Sequence, residues 1–406
     1  MRHEWETVTL RDVLESVSRR IVLNEHCTYR PIGIRWYGNG PFLKKAKLGA
    51  EIAAKSMNAV LPGDIVYSKL FAWKGSFGVI SDDYQGSVAS GEFPTFVPDQ
   101  ERLLPAFFSI WARRKEVWEA ANEASTGTTA GSRNRLSQDD FLDLEIDLPP
   151  FQEQQAIVAA VDRASRLETS WLVEAEAARK TLYAVREHLL QTDGWYDLSQ
   201  EWALRALSEV ADIRSGITKG RKPRGKLISL PFIRAANVQT EFLDLSEIKT
   251  FDVSQDEIDR FALEVGDLLL IEGSGSPARL GSGWLWEGQL EEPVVCQNHV
   301  FRVRGHRDRI LPPFLAHAVH ASPARAHFLE AAKTTSGLAT INKSQVGDLC
   351  IPVPPISIQE TIVGTLGALR DVETRALTAG MQAAGIRATV VNELLSGRQV
   401  APALAV

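Results

Sequence analysis

The 406-residue chain is written on one plan twice. Trp5, Leu10 and Val13 recur with identical spacing as Trp202, Leu207 and Val210, a shift of 197 residues. Pro62-Gly-Asp-Ile-Val-Tyr67 recurs as Val265-Gly-Asp-Leu-Leu-Leu270, at a shift of 203. Pro149-Pro150, Gln154-Gln155 and Ile157-Val158 recur as Pro354-Pro355, Gln359-Glu360 and Ile362-Val363, at a shift of 205. Landmarks that keep one order and nearly one offset mark a tandem duplication. Each copy must then close a core of its own, and each is long enough for one domain and an appendage.

Within a copy, short apolar runs broken by Gly, Pro and Asn come first and predict strands and loops. Examples are Gly78–Ile80, Phe93–Val97, Asp267–Ile271 and Val300–Val303. Helical patches are expected at Pro105–Ala121 and Pro312–Ala332. Mixed elements of this kind predict an α/β (α+β) domain in each copy. A diproline then closes the domain and suits an extended entry into a helix. In the first copy Ile157, Val161, Ala164, Leu167, Trp171, Ala175, Ala178, Leu182, Val185 and Leu189 advance by threes and fours. In the second, Ile362, Leu366, Leu369, Val372, Ala376, Ala379, Ala383, Ile386, Val390 and Leu394 do the same. Such stepping lays one apolar seam along a long helix. Two equivalent seams in a pseudo-two-fold internal repeat predict two equivalent helices packed against each other, the alanines permitting close approach. The other arrangement is two helices lying each on its own domain. Gly194 and Gly397 suit the helix exits.

Charge enters through its distribution. The net value is −6, and residues 239–264 alone hold eight acids against Lys249 and Arg260. The rest of the chain is neutral, with basic clusters at Lys44, Lys45 and Lys47, at Arg113–Lys115, and densest at Lys219–Lys226. A basic run is a solvated face as readily as a nucleic-acid contact, so charge alone decides nothing. Cys27, Cys296 and Cys350 are scattered and form neither a disulfide framework nor a metal knuckle. No run reaches the roughly 18 apolar residues of a membrane span, and acids among the first fifteen residues argue against a secretory leader. A cytoplasmic protein with no membrane partner is expected.

Catalytic motifs are wanting. Gly273-Ser-Gly-Ser-Pro-Ala278 follows an apolar run, but Pro277, Gly281 and Gly283 argue against the helix that a dinucleotide loop requires. Leu148-Pro-Pro-Phe151 and Leu311-Pro-Pro-Phe314 carry leucine where an adenine amino-methyltransferase needs a polar side chain. Glu247-Ile-Lys249 lies in the acidic stretch. His317, His320 and His327 have helical spacing without an acidic or cysteine partner for zinc. The chain is expected to be no enzyme and to bind no metal.

The ordered double set carries a resemblance. It consists of Leu144–Pro150 with Gln154-Gln155, Leu349–Pro355 with Gln359-Glu360, the opening Trp5 and Trp202, and the endings His188-Leu-Leu190 and Glu393–Gly397. Across the whole chain this is similar to the DNA-sequence-specificity subunit of type I restriction–modification enzymes. The resemblance implies target-recognition domains at 1–150 and 196–353, spacer helices at 151–195 and 354–398, and a tail at 399–406. Each domain would read one half of a split site in double-stranded DNA. The helices would pair as an antiparallel coiled-coil spacer that docks two methyltransferase subunits, with restriction (helicase–nuclease) subunits joining them. S-adenosylmethionine, ATP and magnesium would belong to those partners, and this chain would hold no cofactor. Departures are Glu153 before Gln154-Gln155, and Gly380 and Gly385 inside the second helix, each costing roughly 1 kcal/mol against alanine.

DNA reading needs cations for phosphates and side chains with fixed donors and acceptors for base edges. In the first copy the candidates are Lys44, Lys45, Lys47, Ser68, Lys69, Trp73, Lys74, Ser76, Arg133, Asn134 and Arg135, with Phe71 assigned to the core. In the second they are Lys219, Arg221, Lys222, Arg224, Arg234, Asn237, Ser274, Ser276 and Arg279, then Gln297, Asn298, His299, Asn342 and Lys343. Spacer and partner contacts are assigned to Gln154, Ile157, Val161, Leu167, Trp171, Leu182 and Leu189, and to Gln359, Ile362, Leu366, Leu369, Val390 and Leu394. A scaffold joining two protein-binding domains is the alternative, although a scaffold has no need of differing polar loops on duplicated domains.

Overall fold

The computed structural model describes residues 5–126, 134–190, 202–222, 225–290, 293–335 and 338–395. Arg133, Arg224, Gly194 and Gly397 lie outside the described residues. The chain divides into two compact units, Met1–Trp171 with Thr378–Val406, and Leu172–Leu377.

In unit 1 the run Ile65–Tyr67 is buried throughout and takes an interior place in a four-stranded antiparallel sheet. Phe77–Val79 pairs on one side and Thr95–Pro98 on the other, with Leu14–Val17 completing the order. The Gly-Asp landmark makes the turn into this strand. Gly63 takes a φ of 89°, a conformation that residues with a Cβ rarely adopt. The Asp64 carboxylate accepts the Leu61 N–H at 2.7 Å and pairs with Arg19 at 2.5 Å. Beneath the sheet Tyr67 stacks on Phe141 at 4.2 Å, and Phe141 meets Phe96 at 4.9 Å. Burial of each such ring contributes about 1.5–3 kcal/mol. Glu6–Thr9 pairs antiparallel with Glu145–Leu148, drawing the first and last strands together just before the diproline.

Unit 2 repeats this order. Gly283–Leu285, Leu268–Ile271, Val300–Gly305 and Ala211–Ser215 form the corresponding sheet, and Ala203–Ala206 pairs with Cys350–Val353. Gly266 has a φ of 97°, while Asp267 accepts the Glu264 N–H at 2.7 Å and pairs with Arg304 at 2.6 Å. Unit 2 also has a sheet of Lys249–Ser254, Leu227–Ile233 and Val295–Cys296, with one parallel pairing. Gly273–Ser274 is a short strand against Ala339 and Thr340, followed by a single 3-10 turn at Pro277–Arg279. Each expected helical patch is in fact two helices: Pro105–Trp111 and Lys115–Glu123, then Pro312–His320 and Ser322–Ala331. The breaks fall at Arg114 and Ala321, both extended, the second close before Pro323, which disfavours helix upstream.

Two helices of 40 residues, Phe151–Leu190 and Ile356–Leu395, follow the diprolines. Within unit 1, Ile157 and Val161 near the start of the first share a core with Val390 and Leu394 near the end of the second. Within unit 2, Leu182 and Leu189 near the end of the first share a core with Ile362, Leu366 and Leu369. Start meets end in both units, so the helices run antiparallel. Trp171 is half-buried. The seam is interrupted at Leu167 and Ile386, which are 47% and 56% exposed, contrary to expectation. An ion pair between Glu168 and Arg387 at 2.7 Å occupies that part of unit 1 instead. Gly380 and Gly385 leave the second helix unbroken.

Gln154 and Gln359, expected as partner contacts, are fully buried and bonded inward. Gln154 Oε1 accepts the Leu104 N–H at 2.9 Å, while its Nε2 donates to the carbonyls of Arg102 and Pro149 at 2.7 and 2.9 Å. Gln359 repeats the pattern with the Leu311 N–H and the carbonyls of Arg309 and Pro354, each at 2.8 Å. A side-chain amide satisfies one donor and two acceptors at once, which suits it to fix a helix start against its own domain.

Candidate nucleic-acid interface

In unit 1 the loop from Ser68 to Ser76 leaves the central sheet and packs beside the turn that follows Ile32–Ile34. Ser68 and Ser76, expected on the DNA face, are buried, and Ser76 Oγ donates to the Ile34 carbonyl at 3.0 Å. They hold the loop instead. Phe71, assigned to the core, is 39% exposed and packs on Trp36 with centroids 5.6 Å apart. Lys74 Nζ lies 3.7 Å from the Trp36 ring centroid and 4.8 Å from that of Trp73. Tyr37 adopts a left-handed φ of 61°, and its ring lies 5.5 Å from that of Trp118. A half-buried cation among aromatics results. Trp36, Tyr37 and Trp118 were missed in the sequence, although adjacent aromatics just before Gly38 and Gly40 read as a turn that displays them.

Lys44, Lys45 and Lys47 are exposed, with Lys44 Nζ 5.1 Å from the Phe93 ring centroid. Arg135 makes a two-pronged pair with Glu92, at 2.9 and 2.8 Å, and Asn134 donates to Asn122 at 2.9 Å.

In unit 2 several expected DNA contacts are spent on the fold. Arg221 pairs with Glu257 through two bonds of 2.6 and 2.8 Å and lies 4.2 Å over the Phe251 ring. Arg234 donates to the Glu247 carbonyl. Asn237 is buried, accepts the Arg234 N–H and donates to the carbonyls of Asp244 and Glu247. Arg279 donates to the Val238 carbonyl and to Gln239. Together they brace the acidic stretch, whose charge is thereby partly neutralised from within. Ser274 accepts the Ser276 N–H, and Asn342 caps a short helix by accepting the Gln345 N–H at 3.0 Å. Lys219, Lys222, Ser276 and Lys343 are exposed. A cleft of about 640 Å³ is lined by Glu272, Gln297, His299, Thr340 and Asn342 among others, and His299 Nδ1 lies 2.6 Å from Glu272 Oε2. Asn298 is half-buried between two of these.

His317 and His320 are buried against Trp284 at 5.5 and 6.0 Å. Burial pushes their pKa values down to about 3 and about 4. His327 lies apart from them in its bonding, with Nε2 at 2.7 Å from the Gln345 carbonyl. No group of three or more potential metal ligands exists among the described residues. Among the same residues, no helix is long and apolar enough to cross a membrane.

The model for the type I restriction–modification DNA specificity domain matches twice, at residues 2–176 and 199–382. The Escherichia coli EcoKI specificity subunit is 23% identical over 274 residues, 65% of this chain and 58% of that protein. The putative MjaX specificity subunit of Methanocaldococcus jannaschii is 25% identical over 172 residues, 42% of this chain and 40% of that one. The chain's match thus spans 58% of the length of the first of these relatives and 40% of the second. Two solved structures share the fold over nearly the whole chain. One, from work on complex assembly and conformational transition of the type I R-M system, has a TM-score of 0.62 at 18% identity, covering 97% and 98% of the two chains. The other, the S subunit from M. genitalium, has a TM-score of 0.54 at 15% identity, covering 97% of each. With two matches to one family model filling most of its length, the chain belongs to the type I restriction–modification DNA specificity family.

Proposed function

We propose that this chain is the DNA-recognition subunit of a type I restriction–modification complex, each unit reading one half of a two-part target in double-stranded DNA. The carrying observation is one framework with two surfaces. Both units repeat the same four-strand order, Gly-Asp turn and buried glutamine, yet their loops differ in charge and aromatic content. A common scaffold with divergent polar loops is what two readers of different sequences require.

The helix pair sets the distance between half-sites and receives two methyltransferase subunits, with restriction subunits joining that complex. Its exposed apolar side chains, Leu172, Val173 and Leu377 in unit 2 and Met381 and Ile386 in unit 1, suit partner docking. This chain supplies no reacting group. S-adenosylmethionine, ATP and magnesium act in the partners, and the complex works in the cytoplasm. Because the chain carries −6 overall, the partners supply part of the positive field that DNA binding needs.

The test is single-molecule sequencing of a methylation-free host expressing the chain with its methyltransferase subunit. A methylated motif in two parts with an unread spacer is expected, and exchange of residues 1–148 for those of a relative should change one part only. Absence of any motif, or a change in both parts, would overturn the reading.

A further inference from the structure

At the end of the central strand, the two units share a junction built from backbone alone. In unit 1 the Lys69 N–H donates to the Glu92 carbonyl at 3.1 Å, and the Leu136 N–H donates to the Lys69 carbonyl at 2.9 Å. In unit 2 the Glu272 N–H donates to the His299 carbonyl at 3.0 Å, and the Ile341 N–H donates to the Glu272 carbonyl at 2.9 Å. Lys69 therefore corresponds to Glu272, Glu92 to His299, and Arg135 to Thr340. The backbone is the same while Glu272 stands for Lys69, His299 for Glu92 and the uncharged Thr340 for Arg135, so the fold does not dictate their identity.

Their exposure and bonding point outward. Arg135 and Glu92 have side chains 45% and 42% exposed. Glu92 spends both oxygens on two guanidinium nitrogens of Arg135, which holds the planar group while its remaining N–H bonds stay available. In unit 2, Glu272 Oε2 is taken by His299, and Oε1 has no hydrogen-bond partner among the described residues. The neighbouring Gln297 side-chain amide is likewise unbonded among them, in the same cleft of about 640 Å³. A carboxylate is repelled by phosphates, so its use at a DNA surface is to accept from a base amine.

We propose that this junction reads a base in both units with opposite hydrogen-bond polarity. Arg135 donates to a guanine edge in unit 1, and Glu272 accepts from the exocyclic amine of cytosine or adenine in unit 2. The inference rests on the DNA-reading role proposed above and names where that reading is done.

The full chain, co-expressed with its methyltransferase subunit in a methylation-free host, provides the assay, read as the genomic methylation motif. In Glu272→Gln, one position of the unit 2 half-site relaxes, and sites with the wrong base there gain methylation relative to the correct site by roughly 5- to 100-fold. The other half-site keeps its sequence. Arg135→Ala relaxes a guanine position in the unit 1 half-site alone. His299→Ala, which removes a ring 56% exposed, serves if Glu272→Gln is insoluble, and should loosen the same base. Unchanged motifs would overturn the proposal, as would uniform weakening with no base relaxed, the mark of a phosphate contact. A unit 1 half-site without a G·C pair would do so too. If the unaltered chain gives no two-part motif, the DNA-reading role itself fails; an intact motif untouched by the substitutions removes this inference alone.

Discussion

Two buried histidines show how a residue's environment fixes its chemistry. His317 and His320 face Trp284, the guanidinium groups of Arg186, Arg370 and Arg325, and the carboxylate of Glu241. Desolvation outweighs that carboxylate and keeps both rings neutral, with pKa values near 3 and 4 against an ordinary 6.5. A base depressed in the folded state binds fewer protons than the unfolded chain does between those values. Stability contributed this way is present above pH 6.5 and is lost as the pH falls toward 4. Urea unfolding of the wild type should therefore show an unfolding free energy that falls between pH 7 and pH 5, by on the order of 1 kcal/mol per pH unit for each histidine. The double variant His317→Phe/His320→Phe should flatten that dependence. An equally steep fall in the variant would assign it to other groups.

At the scale of elements, unit 2 ties its helices to its loop by charge. Glu241 lies between Arg186 of the first long helix, at 2.5 Å, and Arg370 of the second, at 2.6 Å, and Arg370 sits 3.8 Å over Trp284. Burial alone would raise the Glu241 carboxyl, but the guanidinium groups of Arg186 and Arg370 outweigh it and hold it below the usual carboxylate range. Glu241 also takes a left-handed φ of 65°, so the loop accepts backbone strain to present it. Breaking one member of such a triad strands the others, at a cost of about 3–5 kcal/mol, whereas apolar replacement of all three is nearly neutral. Glu241→Ala should lose stability of that size in chemical denaturation. Arg186→Met/Glu241→Leu/Arg370→Leu should recover most of it. Equal loss in both variants would show that the backbone turn, and not the charge network, carries the effect.

For the whole molecule, the helix pair is proposed as the ruler of the DNA target. Forty residues of helix measure about 60 Å at 1.5 Å per residue. Seven residues added to each helix at facing layers preserve the apolar seam, because seven is one heptad. They lengthen the pair by about 10 Å, close to three base pairs. The methylated motif should keep both half-sites while the unread spacer grows by about three pairs. An unchanged spacer in a soluble, active complex would show that the helices do not set it.

The duplication with its Gly-Asp landmarks, both long helices and the closing diproline were legible in the residues because each rests on local rules. Helical periodicity, proline's missing N–H and glycine's freedom at positive φ act within a few residues of their cause. The roles of Gln154 and Gln359 were not legible, since their partners Leu104, Arg102, Leu311 and Arg309 lie about fifty residues away. The same holds for Arg221, Arg234, Asn237 and Arg279, which read as DNA contacts until Glu257, Glu247, Asp244 and Gln239 are brought against them. Composition cannot separate a cation that meets a phosphate from one that meets a carboxylate of its own chain. Only the tertiary structure pairs them, because charge acts through space and the chain's path decides which charges meet.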